Sequence, residues 1–388
     1  MPHDPVPAGF DPAEMVAVLR TLVEIESPSS DPAALAACAA EVATLGERLL
    51  GAAPEWVEVD GHPHLRWRWG PGAGGPAGER ARVVLLCHLD TVWPLGTLEG
   101  WPFVVSDGVA TGPGAFDMKA GLVQGLFALA SLGADGRDGV ALLVTSDEEV
   151  GSRTSRGLIE AEAAGAAAVL VLEPSAGAGG ALKTVRKGVA TYQVDVEGRA
   201  AHAGLEPERG VNALVELAHQ ALAVTGIGDA AQGTTVTPTV AAAGTTDNTV
   251  PAAARLRVDT RAATPEEQAR VDRELRALRP VLAGARLAVR RETSRPPLPA
   301  SASAELFTLA QRVAAQLGMG PLEQAMVGGG SDGNLTAGLG IPTLDGLGAV
   351  GGGAHARGEH VVVAAMPRRA ALVAALIGAL RQPAAQPS

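Results

Sequence analysis

The chain has 388 residues, enough for two domains, and 47% of them are apolar although only 3% are aromatic, so Ala, Val and Leu must build the core. The net charge of -11 excludes the basic surface that nucleic-acid binding needs and disfavours adhesion to acidic membranes. The two cysteines are far apart, and no apolar run of about 18 residues is present, which excludes a disulfide framework and a membrane span. Residues 1–10 do not resemble a secretory signal, so we expect a cytoplasmic protein.

Helices and strands alternate in the first half of the chain. Asp11-Pro12 and Asp31-Pro32 each offer a capping carboxylate and a proline suited to the first helical position, which predicts two helices, the second ending near Leu50. Two short strands at 55–69 and a Gly/Pro loop at 70–78 follow. The next predicted elements are a strand at 81–87, a helix at 118–132, a strand at 139–145, a helix at 151–164 and a strand at 168–172. Such alternation indicates a mostly parallel sheet flanked by helices.

The pattern changes over residues 188–295, which we interpret as an inserted α+β domain of the ferredoxin-like type. Half-exposed strands are predicted at 192–197, 256–261 and 285–291, and amphipathic helices at 212–223 and 265–278. The main domain would comprise residues 1–187 and 296–388. Its second part contains a helix at 302–317, Gly-rich loops at 328–333 and 346–353, and a last helix at 365–381.

Acidic and imidazole side chains follow the apolar strands of the main domain. They are His88, Asp90, Asp117, Glu148, Glu149 and Glu173. In open parallel sheets ligands bind beyond the carboxyl ends of the strands, which is where His88, the two adjacent glutamates and Glu173 would lie. A histidine followed two residues later by a carboxylate offers a metal ligand and a group that orients it.

Several carboxylates at the end of a buried sheet would repel one another unless cations compensate their charge. Two Zn²⁺ ions would balance Asp117, Glu149, Glu173 and a shared hydroxide, with two neutral histidines completing the ligand set. Zinc lowers the pKa of bound water to about 7. Glu148, which projects differently from its neighbour, would serve as the general base.

Four motifs, at residues 88–92, 112–121, 146–152 and 172–174, resemble the successive signatures of one enzyme family. This is the dinuclear-zinc aminoacylase and carboxypeptidase family, which includes glutamate carboxypeptidase, acetylornithine deacetylase and succinyl-diaminopimelate desuccinylase. The resemblance extends over most of the chain. It implies a zinc-peptidase-like α/β fold, a lid or dimerisation role for the inserted domain, and two Zn²⁺ per chain, with Co²⁺ or Mn²⁺ as alternatives.

The resemblance also implies which residues form the site. The metal ligands would be His88, Asp117, Glu149, Glu173 and His355. Asp117 would bridge the two ions, Glu148 would be the catalytic base, and Asp90 would orient His88. In the family the last ligand is a histidine near the C-terminus that is followed closely by Glu. His355, which Glu359 follows, fits this pattern better than His360.

Five residues beyond the metal ligands are implied as contacts of the substrate. His202 resembles the histidine that stabilises the oxyanion in dimeric members, and Asn248 and Arg261 lie in segments that reach the substrate. Arg295 matches an arginine that binds the terminal carboxylate, for which a guanidinium is suited because it binds bidentately. Gly329, in the loop at 328–333, would supply a backbone contact. Both arginines have an alternative interpretation as strand-end salt-bridge partners.

The leading hypothesis is a di-zinc hydrolase that cleaves an amide or peptide bond and releases a C-terminal amino acid, as glutamate carboxypeptidase does. An N-acyl-amino-acid deacylase is the alternative, and a non-catalytic binding protein is disfavoured because every ligand and the base are present. Lys183 and Arg186 are within reach of the site, but hinge contacts between domains are favoured for them. The expected partners are a small peptide or N-acyl amino acid and a second copy of the chain, bound through the inserted domain, without nucleic acid or membrane.

Overall fold

The computed structural model describes residues 9–70 and 81–381, so the predicted Gly/Pro loop at 70–78 lies, apart from Gly70, outside the described residues. In chain order the helices are α1 (Pro12–Val23), α2 (Pro32–Leu50), α3 (Thr97–Gly100), α4 (Ala120–Ser131), α5 (Arg156–Ala163), α6 (Ala213–Thr225), α7 (Pro265–Arg276), α8 (Ala300–Gln316), α9 (Gly333–Gly338) and α10 (Ala365–Arg381). Asp11 and Asp31 accept hydrogen bonds at the first turns of α1 and α2, as predicted. Among the described residues, no helix combines the length and apolar character needed to cross a bilayer.

The strands are β1 (Glu55–Val59), β2 (His62–Arg68), β3 (Val83–His88), β4 (Val104–Ser106), β5 (Val109–Thr111), β6 (Val140–Thr145), β7 (Ala168–Val171), β8 (Leu182–Arg186), β9 (Gly188–Glu197), β10 (Thr235–Ala243), β11 (Ala253–Ala262), β12 (Arg286–Arg295), β13 (Gln324–Val327), β14 (Thr343–Leu344), β15 (Gly351–Gly352) and β16 (His360–Val362). Strands β1, β2, β3, β6, β7, β9, β11 and β12 overlap the predicted ones. The sequence patterns did not predict β8, β10 and β13 or the two- and three-residue strands.

The chain forms two compact units. The first contains the described residues of Met1–Val185, Ala300–Val327 and Ser331–Ser388, and the second contains Arg186–Pro299 and Gly328–Gly330. The second unit extends slightly beyond the predicted inserted domain of 188–295 at both ends.

The main sheet of the first unit has the strand order β1-β2-β6-β3-β7-β14. Strands β6, β3, β7 and β14 run parallel, whereas β1 and β2 are antiparallel additions at one edge, so the sheet is mixed. Because three consecutive parallel strands end at the same edge, the residues that follow β3, β6 and β7 are brought together there.

Helices cover both faces of this sheet. Leu85 and Cys87 of β3 pack in the core cluster that contains α1, α2, α4, α8 and α10. The intervening residue Leu86 belongs to the core cluster on the other face, which also contains Ile159 of α5 and Leu335 of α9. The alternation along β3 is the period-two pattern of a strand buried on both faces.

A small antiparallel sheet of order β15-β16-β5-β4 lies in the same unit. Strand β5 leads into the turn at Ala115–Lys119, and the β15–β16 hairpin carries the loop that contains His355. Pairing of β16 with β5 therefore brings two segments that are distant in sequence next to each other.

Two glycines allow close packing around the peptide that precedes Glu173. A Cβ atom on either Gly121 or Gly348 would collide with the carbonyl oxygen of Leu172. The amide of Gly348 also donates a 2.9 Å hydrogen bond to the Glu173 carbonyl. The position of Glu173 is thus set by backbone contacts on two sides that only glycine permits.

The second unit is an α+β structure with an antiparallel sheet of order β10-β11-β9-β12. One face of the sheet, including Tyr192, Val194 and Leu256, packs with α6 and α7 in a separate core cluster. The other face is largely polar, which explains the alternating patterns read from β9, β11 and β12.

Candidate metal centre

The carboxyl ends of the three parallel strands place an imidazole among carboxylates. Nε2 of His88, the last residue of β3, lies 3.4 Å from Oε1 of Glu173, which follows β7, and 3.4 Å from Oδ1 of Asp117. The His88 side chain is only 2% exposed. Acidic ligands from separate elements therefore converge on one buried nitrogen.

Asp117 lies between two histidines. Its second oxygen, Oδ2, is 3.4 Å from Nε2 of His355, and the same nitrogen is 3.1 Å from Oε2 of Glu149. His355 comes from the β15–β16 loop, and its side chain is 52% exposed. Each oxygen of one carboxylate thus faces a different imidazole, an arrangement that suits a ligand shared by two cations.

The adjacent glutamates face different partners, as predicted. Single ligand atoms of His88, Asp117 and Glu149 lie within 4.8 Å of one another, and so do those of His88, Glu148 and Glu173. Both glutamates belong to a short 3-10 turn, Glu148–Val150, directly after β6. This turn directs the Glu149 carboxylate toward Asp117 and the Glu148 carboxylate toward Glu173.

Asp90 organises the end of β3 without being among these ligand groups. Its fully buried carboxylate accepts hydrogen bonds from the Ser29 hydroxyl at 2.7 Å and from the amides of Glu148 and Glu149 at 3.2 and 3.1 Å. Nδ1 of His88 lies 3.4 Å from Oδ1 of Asp90 and 3.0 Å from its carbonyl oxygen. These contacts hold the ring with Nε2 toward the acidic residues.

Charge compensation in the metal-free protein comes from the histidines. Hydrogen bonds that the His355 ring donates to Asp117 and Glu149 raise the pKa of His355 to about 10, although partial burial opposes the shift. Burial likewise opposes protonation of His88, but its carboxylate neighbours raise the pKa of that ring well above its usual value. The pKa of Asp117 is lowered by both rings despite its own burial. Lys183 adds a further cation, with Nζ 3.9 Å from Oε2 of Glu173.

The residues present fit a divalent metal pair. Within the described parts of the chain, the buried Nε2 of His88 has no hydrogen-bond partner of ordinary geometry, although carboxylate oxygens surround it. Imidazole nitrogens and carboxylate oxygens are the ligand types that Zn²⁺ accepts. A neutral histidine can coordinate a cation through this nitrogen.

Three further residues near the centre have contacts that bear on the sequence analysis. Lys183, for which hinge contacts were favoured, has Nζ 3.9 Å from Oε2 of Glu173 within the first unit. His360, the alternative fifth ligand, has Nδ1 2.9 Å from the Gly358 carbonyl instead. Glu359, to which no role was assigned, is buried and bonds to the turn that carries Asp117. Its only local signal is that it follows His355 closely.

The predicted substrate residues lie in the second unit. His202 is exposed, and its Nδ1 accepts a 3.1 Å hydrogen bond from the Gly204 amide. Because Nδ1 accepts this bond, Nε2 is the ring nitrogen left to donate one. Asn248 is on the adjacent segment, where its backbone carbonyl accepts a 2.9 Å hydrogen bond from the Ala203 amide.

The remaining residues of this group lie around β11 and β12. Arg261 forms a forked ion pair with Asp259, in which Nε is 2.8 Å from Oδ1 and Nη2 is 3.0 Å from Oδ2. In the structure Arg261 is therefore a salt-bridge partner, which was the alternative interpretation of this residue. Arg186 contacts the carbonyls of Gly329 and Gly330 at 3.3 Å. Arg295 ends β12, and its carbonyl oxygen accepts a hydrogen bond from Gln268.

Comparison with known proteins identifies the type of centre. Residues 84–379 match the sequence model of Peptidase family M20/M25/M40. The chain belongs to this family. It is therefore a hydrolase of the metallopeptidase type, and members of this family use divalent metals.

Three relatives show how far the likeness extends. The chain is 33% identical to Carboxypeptidase G2 of Pseudomonas sp. (strain RS-16) over 378 residues, which cover 94% of this chain and 89% of the relative. It is 34% identical to Succinyl-diaminopimelate desuccinylase 2 of Shewanella loihica over 149 residues, 34% of this chain and 39% of that one. The fold is similar to that of an M20 family metallo-carboxypeptidase from Sulfolobus solfataricus, with a TM-score of 0.72, 16% identity and coverage of 96% and 99%.

Metal binding should compete with protonation of the histidines. Because the pKa of His355 is raised to about 10, the ring is protonated at neutral pH without metal and must lose this proton to coordinate. We expect the apparent metal affinity to rise with pH up to about that value, by about tenfold per pH unit for each proton displaced.

Calorimetric titration of metal-free protein with Zn²⁺ at pH 7, in buffers of different ionisation enthalpy, counts the released protons. The expected number is at least about one per chain. His62→Ala, which alters a histidine that bonds only the Asp60 carbonyl among the described residues, is the control and should release the same number. Binding without proton release would contradict the protonated state of His355.

Proposed function

We propose that the protein is a di-zinc hydrolase that cleaves an amide or peptide bond and releases a C-terminal amino acid. The observation that carries the proposal is the position of Asp117, whose two oxygens each face a different histidine at 3.4 Å. Glu173 lies on one side of this carboxylate and Glu149 on the other. The arrangement supplies similar ligand sets for two cations from one chain.

We assign His88, Asp117 and Glu173 to one ion and His355, Asp117 and Glu149 to the other. The three carboxylates and one hydroxide would balance two divalent cations, which replaces the compensation that protonated histidines provide in the metal-free protein. When bound, the ion pair supplies activated water near neutral pH and polarises the scissile carbonyl.

Glu148 is the proposed general base. Its carboxylate is buried and within 4.8 Å of ligand atoms of His88 and Glu173, and its backbone is fixed by the hydrogen bond to Asp90. We assign it the removal of a proton from the attacking water and the delivery of that proton to the leaving nitrogen. Asp90 holds the imidazole of His88 and the turn at Glu148–Val150 in fixed positions during this transfer.

The proposed substrate is a small peptide or N-acyl amino acid with a free carboxylate. Similarity to Carboxypeptidase G2 over 94% of the chain supports release of a C-terminal amino acid. We propose that Arg295 binds the carboxylate and that His202 and Asn248 assist at the reacting carbonyl, with Gly329 as a backbone contact. A smaller contribution is expected from Arg261, because Asp259 already occupies its guanidinium fork.

The second candidate function is N-acyl-amino-acid deacylation. It is supported by the 34% identity to Succinyl-diaminopimelate desuccinylase 2, although this likeness covers only 34% of the chain. Both functions use the same metal centre and release an amino acid whose carboxylate lies on the nitrogen side of the scissile bond; they differ in the acyl group, which is an aminoacyl or peptidyl unit in one case and an acetyl or succinyl group in the other. A panel of dipeptides with varied C-terminal residues and of N-acetyl and N-succinyl amino acids separates them.

Removal of the base should abolish hydrolysis without loss of metal. In Glu148→Gln we expect kcat on the best substrate of the panel to fall by about 10²- to 10⁴-fold, because the amide cannot accept the proton. Metal analysis should still find two zinc ions per chain. Glu58→Gln, a change at an exposed residue of β1, is the control and should leave both values unchanged. Wild-type hydrolysis by Glu148→Gln would show that the base is assigned incorrectly.

We further propose that two copies of the chain associate through the second unit. Strand β10 is an edge strand of its sheet, with Val240 57% exposed, and α6 exposes Leu222 at 76%. An unpaired edge with exposed apolar side chains is a surface that a second copy can cover, and a two-fold arrangement pairs it with itself.

The oligomeric state of charge variants tests this association. We expect the wild-type protein to be a dimer by light scattering coupled to size exclusion, and Val240→Asp to shift it toward monomer because a carboxylate would be buried at the interface. Val281→Asp, at another exposed valine of the same unit, should remain dimeric. A monomeric wild-type protein would contradict the proposed dimer.

A further inference from the structure

We propose that Glu359 is the positioning residue that holds Asp117 in its metal-bridging orientation. The inference rests on the proposed metal site and assigns a role to a side chain outside both ligand sets. It is separate from catalysis, because Glu359 acts through the backbone of the Asp117 turn and through a neighbouring indole.

The carboxylate of Glu359 is saturated by four N–H donors. Oε1 accepts from the amides of Phe116 and Asp117 at 2.8 and 2.9 Å, and Oε2 accepts from the amide of Gly114 at 3.0 Å and from Nε1 of Trp93 at 2.9 Å. The residue has no exposed surface. A buried carboxylate is tolerated only with such a set of donors, and the bonds are strengthened by its charge.

The conformation of the turn explains why it needs an external acceptor. Residues Ala115–Lys119 form a π turn in which Asp117 (φ -115°, ψ 96°) and Met118 (φ -127°, ψ 31°) depart from helical angles. The amides at its start point away from the regular ladder of α4 and toward Glu359. This carboxylate supplies the acceptor that a longer helix would otherwise supply, and one of its four bonds is to the amide of Asp117 itself.

Glu359 also connects the loops that carry three proposed ligands. It belongs to the same hairpin loop as His355, its amide donating to the Ala356 carbonyl at 3.1 Å. Trp93, its indole partner, follows the strand-end segment that begins at His88. One buried carboxylate therefore sets the backbone of Asp117 relative to both histidines that its oxygens face.

If Glu359 only stabilised the fold, its replacement would have a different experimental effect from the loss of a positioning residue. Loss of a buried hydrogen-bond network lowers the melting temperature of the metal-free protein in either case. Only a positioning role also weakens metal binding in protein that remains folded, because a displaced Asp117 no longer reaches both histidines. The metal affinity of folded variants is therefore the decisive readout, and it requires no substrate.

Glu359→Gln is the test variant and Trp93→Phe is its matched control. An amide side chain replaces one accepting oxygen by an NH₂ group, which opposes two of the four donors and leaves Asp117 less firmly held. Trp93→Phe removes one donor but none of the three backbone bonds to the turn. Metal-free proteins are titrated with Co²⁺ in the presence of a competing chelator, followed by visible absorption, with circular dichroism to verify folding.

We expect Glu359→Gln to bind Co²⁺ about 10- to 100-fold more weakly than wild type, a loss typical of residues that support metal ligands, and Trp93→Phe to lose less than tenfold. Wild-type affinity and stoichiometry in folded Glu359→Gln would overturn the proposal. If that variant does not fold, Glu359→Asp decides, because it keeps the charge but is too short to satisfy all four donors. Weakened binding by Glu359→Asp supports the positioning role, and wild-type binding overturns it. Wild-type protein that bound no Co²⁺ would instead contradict the metal site itself.

Discussion

Mutual repulsion of carboxylates at the end of a buried sheet is the constraint on which this structure depends. Asp117, Glu149 and Glu173 are brought within a few ångströms of His88, in surroundings where an uncompensated charge is costly. Without metal, the protonated rings of His88 and His355 and the ammonium group of Lys183 balance this charge. Metal binding would have to displace the protons of the two rings, so the same carboxylates compensate either protonated histidines or bound cations.

Two buried carboxylates that are not proposed ligands give the centre its geometry. Asp90 accepts the amides of the glutamate turn and faces Nδ1 of His88, while Glu359 accepts the amides of the Asp117 turn. Both carboxylates accept hydrogen bonds from backbone N–H groups. They therefore fix the loops and are not needed as metal ligands. The centre therefore contains two kinds of carboxylate. Asp90 and Glu359 hold the backbone, whereas Asp117, Glu149 and Glu173 face the histidines.

The sequence predicted the parts of this arrangement that local patterns encode. Apolar runs predicted strands at 81–87, 139–145 and 168–172, which overlap β3, β6 and β7, and the rule that parallel strands share an edge brings their following residues together. The contribution of His355 depended on the family resemblance. Strands β5, β15 and β16, which bring its loop to Asp117, are too short to have a periodicity.

Long-range partners were beyond the reach of sequence patterns. The bonds from Trp93 and Phe116 to Glu359 join segments separated by most of the chain, and nothing in their local sequences indicates the pairing. Strand β10 was missed because its alanines and Pro238 are poor strand formers, and only pairing with β11 specifies it. The contact of Lys183 with Glu173 depends on how β8 passes the end of β7, which composition does not reveal.

Anomalous diffraction from crystals of zinc-loaded protein, recorded on both sides of the zinc absorption edge, tests the central claim most directly. The proposed centre predicts two peaks, one beside each oxygen of the Asp117 carboxylate, the first also contacted by His88 and Glu173 and the second by His355 and Glu149. A single peak, or peaks that do not share Asp117, would contradict it.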